Sequence, residues 1–442
     1  MSSPDAPTLA RRIGLFSLIV YGVGDMVGAG IYGTIGVAAG VMGNAVWLAF
    51  VVSMVAALLT GFSYASLGSR YPKAGGAAYI TQRAFGMRFL SYVVGLAVAA
   101  SGLTSMAAGT DVFATNLGVA IPSIPVWSIA VGFLLLLAAI NLIGIKESLT
   151  ANLVCTAIEV GGLVLVIIVG ARYWGGDVDY LAVPAGSTLG PSMLLSGAVL
   201  TFYAFVGFED MLNVAEEVKS PEKNMPWGII LAVVTATVLY ILVSVTAVSV
   251  VTPEKLANAE NGPPLTQIMN VAAPWLPGWV YSVITLFAVA NTALLNYIMG
   301  SRLLYGMANQ GLVPRPLSKV HPRFRTPYVS VLTLGIIVLV LTFAGDISQL
   351  ASATSLLLLT CFCLINLALI VLKARPDEPK GRMEIPYFVP ALGVLVCGGL
   401  IFARLTAPNA DPRAPQIAIA LIILIAALYF VLRPKNVGVE EE

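Results

Sequence analysis

Five acidic residues lie inside long apolar stretches of this 442-residue sequence: Asp25, Asp111, Glu159, Glu209 and Asp210. Every Lys and Arg, in contrast, lies at the end of such a stretch or between two of them. A charged group inside a membrane is normally paired with an opposite charge or protonated. We therefore expect the missing positive charge to come from a proton, a metal ion or a cationic group on a bound solute.

Glycines interrupt two of these stretches next to the acids. Residues 22–30 read GVGDMVGAG in the first stretch, and residues 203–210 read YAFVGFED in the sixth. Backbone that stops hydrogen-bonding to itself inside a bilayer is tolerated only where it lines a cavity or is covered by protein. Paired discontinuous helices in the two halves of a membrane protein are typical of a transporter site near the midplane. The pattern predicts a carrier of a small solute.

The composition predicts the structural class. Hydrophobic residues make up 58% of the chain and charged residues 10%, with a mean hydropathy of +0.91. A soluble domain has about a quarter charged residues, so we expect an all-α polytopic membrane protein embedded in a lipid bilayer. Stretches of about 20 apolar residues, long enough to span it, number roughly twelve. The net charge of +2 gives no indication of a nucleic-acid partner.

The positions of the two interruptions predict the internal organisation of a single membrane transport domain over residues 1–442. They fall in spans 1 and 6, which is the spacing that an inverted repeat of five plus five helices produces. The predicted units are the first repeat (helices 1–5) at 12–172, the second repeat (helices 6–10) at 190–373, and two extra C-terminal helices, 11 and 12, at 386–432. The amphipathic loop 70–86 is expected along the inner face, and residues 253–268 as a short outer cap.

The distribution of basic residues predicts the orientation. With the N-terminus in the cytoplasm, few of the 24 Lys and Arg residues fall outside: Arg172, Lys255, Arg404 and Arg413. The positive-inside rule favours this arrangement. We expect an integral, multi-pass protein of the cytoplasmic (inner) membrane with both termini in the cytoplasm.

The two breaks offer complementary polar groups. Amides freed at residues 28–30, at the start of a half-helix, form a positive dipole end suited to a carboxylate. Carbonyls freed at residues 203–206 are acceptors suited to an ammonium group. A zwitterion such as an amino acid matches both, whereas close helix packing is the alternative role of any single glycine. The residues assigned to substrate binding by this argument are Gly28, Ala29, Gly30, Tyr203, Phe205 and Val206.

The acids beside the breaks have two possible roles. Asp25 either meets an ammonium group of the solute or caps the second half-helix by accepting amide hydrogen bonds at the break. Glu209 and Asp210 follow the second break, where one of them is expected to cap the half-helix, and Glu209 is also assigned to substrate binding together with Asp25. Asp111 lies near the outer end of its span, where it reaches water, and is left out of the site.

Glu159 is the most deeply placed acid. It lies roughly 12 Å in from the inner end of its span, at a rise of about 1.5 Å per residue. Its apolar neighbours favour a neutral carboxyl group, which makes it a candidate proton carrier. The alternative is a permanently protonated side chain that is hydrogen-bonded to a neighbouring carbonyl.

Four segments resemble the amino acid-polyamine-organocation (APC) superfamily, most closely its cationic amino acid transporter-like permeases. They run through spans 1 to 9 in the family's order. The segments are 28–32 (GAGIY); 64–76 (YASLGSRYPKAGG) with 83–86 (RAFG); 205–209 (FVGFE) with 215–221 (AEEVKSP); and 300–308 (GSRLLYGMA) with 311–314 (GLVP) and 321–327 (HPRFRTP).

The resemblance implies a five-plus-five inverted-repeat fold that works by alternating access. It also implies that the amides of Ala29 and Gly30 hold a substrate carboxylate and that carbonyls near Tyr203 and Val206 hold its amine. Tyr203 would act as an aromatic gate. Asn296, in span 8, stands where family members place a side chain that contacts the substrate.

The sequence departs from the family pattern at two positions. Asp25 occupies a place that is usually small or neutral, and Glu159 stands where several proton-coupled relatives have a lysine. Both differences favour a cationic partner. We therefore expect a basic amino acid or an organic amine as the substrate, with Glu159 carrying a proton and a sodium ion at Glu159 as the main alternative.

A neutral amino acid transporter and a non-transporting solute sensor on the same fold are alternative functions. A channel needs a continuous polar pore or a filter sequence, and neither is visible. No enzymatic activity is expected, because the sequence has no His-Glu-x-x-His motif and its single histidine, His321, lies in a loop. No cofactor and no metal site are predicted, and the sequence does not indicate an oligomeric state.

Overall fold

The computed structural model describes residues 8–176, 178–258, 260, 262–343, 347–406 and 413–432. In these residues the chain forms fifteen α-helices, joined by turns and short 3-10 segments. The helices are α1 (Leu15–Met42), α2 (Val46–Arg70), α3 (Gly76–Phe85), α4 (Arg88–Ala120), α5 (Val126–Ile143), α6 (Ile145–Gly170), α7 (Pro191–Phe202), α8 (Pro221–Val250), α9 (Pro253–Ala257), α10 (Pro264–Ala272), α11 (Gly278–Asn309), α12 (Tyr328–Thr342), α13 (Ile347–Ala374), α14 (Phe388–Thr406) and α15 (Arg413–Leu432).

Most of these helices can cross a membrane. Ten segments of the described chain are long and apolar enough to do so, and two shorter apolar helices, Leu15–Gly28 and Tyr328–Thr342, accompany them. The predicted all-α polytopic class is thereby confirmed. The short helices α3, α9 and α10 lie in the connections that the sequence predicts as an amphipathic loop and a cap.

Helix α1 lies at the centre of the bundle, where it packs against α6, α7, α8 and α11. Its residues Val27, Ile31 and Ile35 are fully buried. Around it, α2 packs on α8, α4 on α11, and α13 on both α4 and α14. Because protein surrounds α1, its backbone can be interrupted without exposing polar groups to lipid.

Both predicted interruptions are present. Helix α1 is interrupted at Gly28, whose φ of −39° and ψ of −119° lie outside the helical region. In the sixth span α7 ends at Phe202, and a 3-10 helix, Phe208–Glu217, follows Gly207, whose φ is +130°. A methyl group on Gly207 would lie 3.0 Å from the carbonyl carbon of Asp25, so glycine allows both the backbone angle and the close approach. The first break covers fewer residues than the glycine pattern predicts, because Asp25 still lies in regular helix before it.

A segment before α1, which we call the N-terminal strap (residues 8–14), joins the ends of the two broken spans. Ile13 forms a parallel bridge with Val218. The Ile13 amide donates to the carbonyl of Glu217 at 2.9 Å, and the Lys219 amide donates to the carbonyl of Ile13 at 2.8 Å. Arg325 also donates to the backbone and hydroxyl oxygens of Thr8. The strap therefore fastens α1 to the segment that follows the second break.

One basic residue is placed differently from the sequence prediction. Arg302 was expected at the end of its span, but its side chain is fully buried. Its Nε donates to Oε2 of Glu217 at 2.9 Å, and its Nη1 donates to Oδ1 of Asn141 and to the hydroxyl of Ser301. Arg302 is therefore neutralised by Glu217, at the end of the sixth span that the strap fastens.

Candidate functional site

A cavity of about 50 Å³ lies between the two breaks. It contains six of the predicted substrate-binding residues: Asp25, Gly30, Tyr203, Val206, Glu209 and Asn296. Further polar residues that line it, which the sequence argument did not assign to the site, are Ser101, Ser105, Asp210, Thr292, Thr354 and Ser355. Spans 1, 3, 6, 8 and 10 thus contribute to one enclosed space.

Two predicted residues, Gly28 and Phe205, lie beside the cavity and do not line it. Gly28 packs against the side chain of Thr292, so closely that a methyl group there would overlap the hydroxyl oxygen. Phe205 is fully buried against Tyr240, with the two rings edge-to-face at 5.1 Å. Its side chain therefore packs the protein interior. Ala29 continues α1 between Gly28 and Gly30.

The first break is held by close backbone packing. A methyl group on Gly30 would lie 2.8 Å from the Cα atom of Ala204. Helix α1 therefore contacts the backbone of the 3-10 turn Tyr203–Phe205, where the second break begins. The two discontinuities form one structural unit, as expected for a shared binding site.

Two carboxyl groups meet in the cavity. Asp25 and Asp210 both line this cavity and are close enough for their charges to interact. Asp25 is 6% exposed, and its Oδ2 has no hydrogen-bond partner among the described residues. Two carboxyl groups this close must share a proton or bind a cation.

Glu209 has a different role from its neighbours. Its Oε2 accepts a hydrogen bond from the Gly207 amide at 2.8 Å, which satisfies a donor that the break leaves without a helical partner. Glu209 is therefore the acid that supports the second half-helix, one of the two that the sequence offered for that role. Asp210 is left facing the cavity.

Tyr203 lies at the boundary of a second cavity. This cavity has a volume of about 370 Å³ and shares Tyr203, Val206, Ser355 and Leu358 with the first. Most of its remaining lining is apolar, from α1, α7, α13 and α14, with Arg404 at one end. The Tyr203 side chain is 37% exposed. Tyr203 therefore lines both the acidic cavity and a larger, mostly apolar one.

Glu159 lies outside both cavities, in a polar cluster behind α1. Its carboxyl group is fully buried, and Oε1 accepts a hydrogen bond from Nδ2 of Asn291 at 2.8 Å. The same amide donates to Thr156 at 2.9 Å, and Asn152 donates to the amide oxygen of Asn291 at 3.0 Å. In the part of the chain that the structure describes, Oε2 of Glu159 has no partner. Among the described residues, no Lys or Arg forms an ion pair with Glu159.

This cluster touches α1 directly. A methyl group on Gly24 would lie 2.6 Å from Nδ2 of Asn291, so only glycine allows the helix to approach so closely. The hydroxyl of Tyr32 donates to the backbone carbonyl of Glu159 at 3.0 Å. Glu159 and Asp25 are also near enough to interact electrostatically. A change in the charge of Glu159 therefore acts on the helix that contains the first break.

The partners of Glu159 were missed from the sequence, although one signal was present. Asn152, Thr156 and Glu159 are spaced to lie on one face of α6. Three polar side chains in an otherwise apolar helix indicate a buried network. Asn291 belongs to a span far along the chain, and no local pattern relates it to Glu159.

The family model described as amino acid permease matches residues 13–428. A branched-chain amino acid permease of Bacillus subtilis (strain 168) is 29% identical over 424 residues, 89% of this chain and 88% of that protein. A methylthioribose transporter of the same strain is 30% identical over 443 residues, 96% of this chain and 94% of that protein. The vacuolar cationic amino acid transporter 4 of Arabidopsis thaliana is 30% identical over 395 residues, 84% of this chain and 64% of that protein.

Proposed function

Because this chain belongs to the amino acid permease family of the APC superfamily and is therefore a multi-pass transporter, not an enzyme, we propose that it carries a cationic amino acid or organic amine. Transport would proceed by alternating access as secondary active transport. We also propose which charge the substrate carries, which ion is coupled to transport, and which residues bind the substrate and the ion.

The acidic cavity is the single observation that carries the substrate proposal. Asp25, Glu209 and Asp210 line it, and none of the described residues around it is Lys or Arg. Oδ2 of Asp25 has no hydrogen-bond partner among the described residues, and an ammonium group placed there neutralises the Asp25–Asp210 pair. The amides near Gly30 and the side chain of Asn296 remain for the other end of an amino acid.

We assign the coupling proton to Glu159. Its carboxyl group has one hydrogen-bonded oxygen and one without a partner among the described residues, so it has room for a proton on Oε2. Protonation removes a buried charge behind α1, and loss of the proton restores it. Sodium is the alternative cation, since the hydroxyl oxygen of Thr156 and Oε1 of Glu159 accept hydrogen bonds from the same Asn291 amide nitrogen and both are oxygen ligands.

We also propose the arrangement of the chain in the membrane. The five-plus-five repeat (12–172 and 190–373) with two added helices (386–432) places the two breaks in corresponding spans. The basic residues favour the cytoplasmic membrane with both termini inside. The N-terminal strap then lies at the cytoplasmic face, and Tyr203 faces the outer side of the acidic cavity.

A neutral substrate is the second candidate, because the similar Bacillus proteins are named for branched-chain amino acids and methylthioribose. The volume of the acidic cavity, about 50 Å³, also favours a small polar end group there. In that case the Asp25–Asp210 pair keeps a shared proton throughout transport.

The deciding experiment is uptake by purified protein in lipid vesicles. Labelled arginine, lysine, putrescine and leucine are compared with a pH gradient, a sodium gradient or neither. Uptake of cations driven by the pH gradient supports the proposal, whereas uptake of leucine alone overturns the substrate assignment. If uptake requires the sodium gradient, the coupling ion is sodium and not a proton. Binding of a solute, detected as thermal stabilisation, without any flux would indicate a sensor.

A further inference from the structure

Tyr240, on α8, contacts both broken helices through one atom. Its hydroxyl oxygen lies 2.7 Å from the carbonyl oxygen of Met26 and 2.7 Å from that of Ala204. Met26 precedes the kink at Gly28, and Ala204 lies in the turn that opens the second break.

The Tyr240 hydroxyl offers one donor to two acceptors. A phenol has one hydroxyl proton and donates one full hydrogen bond at a time, whereas two carbonyl oxygens compete for it here. Carbonyls next to a helix break lack their regular helical donors, so each gains from the bond. At equal distances the proton is divided between them, and a small displacement of either segment decides which carbonyl receives it.

Packing against other aromatic rings holds the ring of Tyr240 in place, whereas the helices on both sides of its hydroxyl group are interrupted. It packs edge-to-face on Phe205 at 5.1 Å and against Phe50 at 5.6 Å, and it is fully buried. The hydroxyl group therefore has a constant position between the two carbonyls. Movement of one broken segment away from it strengthens the bond to the other.

We infer that Tyr240 is a positioning residue that couples the two breaks during transport, by transferring its hydrogen bond from one carbonyl to the other as the segments move. This inference rests on the proposed transport function. It differs from a purely structural role, in which the hydroxyl group stabilises the fold equally in every state and removing it changes stability alone.

The test compares Tyr240→Phe with Tyr297→Phe. Tyr297 is also fully buried, and its hydroxyl donates to the carbonyl of Val331 at 2.8 Å, between α11 and α12. Each variant loses one buried hydroxyl and keeps its ring. Only Tyr240→Phe removes a contact shared by both breaks.

The measurements are initial uptake rates over a range of substrate concentrations, normalised to folded protein, with substrate binding followed by thermal stabilisation. We expect Tyr240→Phe to lower kcat about tenfold, the effect of one hydrogen bond, and to change binding by less than about twofold. Tyr297→Phe is expected to keep the wild-type kcat. Equal kcat values for Tyr240→Phe and wild type, or an equal fall in both variants, overturns the inference.

If Tyr240→Phe does not fold, a second variant is used for the test. Incorporation of 3-fluorotyrosine at position 240 keeps the ring and hydroxyl group but makes the hydroxyl a stronger donor, so release from each carbonyl slows and kcat falls. An unchanged kcat contradicts the coupling role. If the wild-type protein moves no solute, the proposed function is wrong and the coupling role falls with it.

Discussion

Nε of Arg302 donates to Oε2 of Glu217 at 2.9 Å, and neither side chain is exposed to solvent. The backbone carbonyl of the same glutamate accepts hydrogen bonds from the Arg12 and Ile13 amides. Glu217 therefore joins α11, the 3-10 helix of the sixth span and the N-terminal strap. We call these contacts of Glu217 the buried joint.

Glu217→Gln is expected to destabilise the protein, because it leaves the Arg302 guanidinium buried without a counter-charge. Loss of one partner from a buried ion pair costs about 3–5 kcal/mol. The measurement is the free energy of unfolding in detergent. The control is Glu384→Gln, since Glu384 is 36% exposed in its contacts with Arg70 and Lys373 and such pairs contribute about 0–1 kcal/mol. Equal losses in the two variants would contradict the role of the buried joint.

Asp25→Asn is expected to weaken cationic substrates by more than about tenfold, since a charged hydrogen bond contributes about 1.5–3 kcal/mol. Neutral substrates are expected to change little. Asp111→Asn is the matched control, because Asp111 is exposed and does not line the cavity, so its loss should leave both kinds of substrate unchanged. Competition binding with arginine and leucine measures both. If Asp25→Asn weakens arginine and leucine to the same extent, Asp25 has a structural role.

Glu159→Gln is expected to make uptake independent of the pH gradient while exchange of bound solute continues. The glutamine keeps an oxygen that accepts the hydrogen bond from Asn291 but cannot gain or lose a proton at this site. The measurement is uptake with and without a pH gradient. Glu147→Gln, an exposed acid at the start of the same helix, is the control. Gradient-driven uptake by the Glu159 variant would exclude this residue as the proton carrier.

Gly30→Ala is expected to reduce both stability and transport, because the added methyl group lies 2.8 Å from the backbone of Ala204. Overpacking of this kind costs about 1–3 kcal/mol. Gly33→Ala, on the same helix, meets no described atom within 4 Å. It is expected to be neutral or stabilising by up to about 1 kcal/mol, because alanine favours the helix. Melting temperature and uptake rate are compared, and equal effects of the two changes would argue against close packing at Gly30.

Glu384 predicts a dependence of stability on pH outside the membrane spans. Partial burial opposes its ionisation, but hydrogen bonds from Arg70, Lys373 and the Gly381 amide outweigh burial and lower the pKa of this carboxyl. Its stabilising effect is therefore fully present above the unfolded-state pKa, about 4.3, and is lost as the pH falls through the lower folded-state pKa. Unfolding curves of wild type and Glu384→Gln should converge at low pH. A constant difference would contradict this.

The sequence predicts the fold well because its strongest signals are local. Apolar length identifies the spans, and glycines beside acids identify the breaks at Gly28 and Gly207. Contacts between spans depend on how each helix is rotated, and no local pattern records that rotation. For this reason the sequence could not decide whether Glu209 or Asp210 caps the half-helix, and Phe205, which was expected in the site, packs on Tyr240.

The pairing of Ile13 with Val218 has a consequence for biosynthesis. The two residues belong to opposite halves of the chain, so the strap has no partner until the sixth span has left the ribosome. Until then α1 lies in the bilayer with an acid and an interrupted backbone that later spans must cover. Insertion of the first span and its final assembly are thus separate events. A nascent chain stopped before Gly207 leaves the acid and the interrupted backbone of α1 uncovered, and we expect it to be degraded.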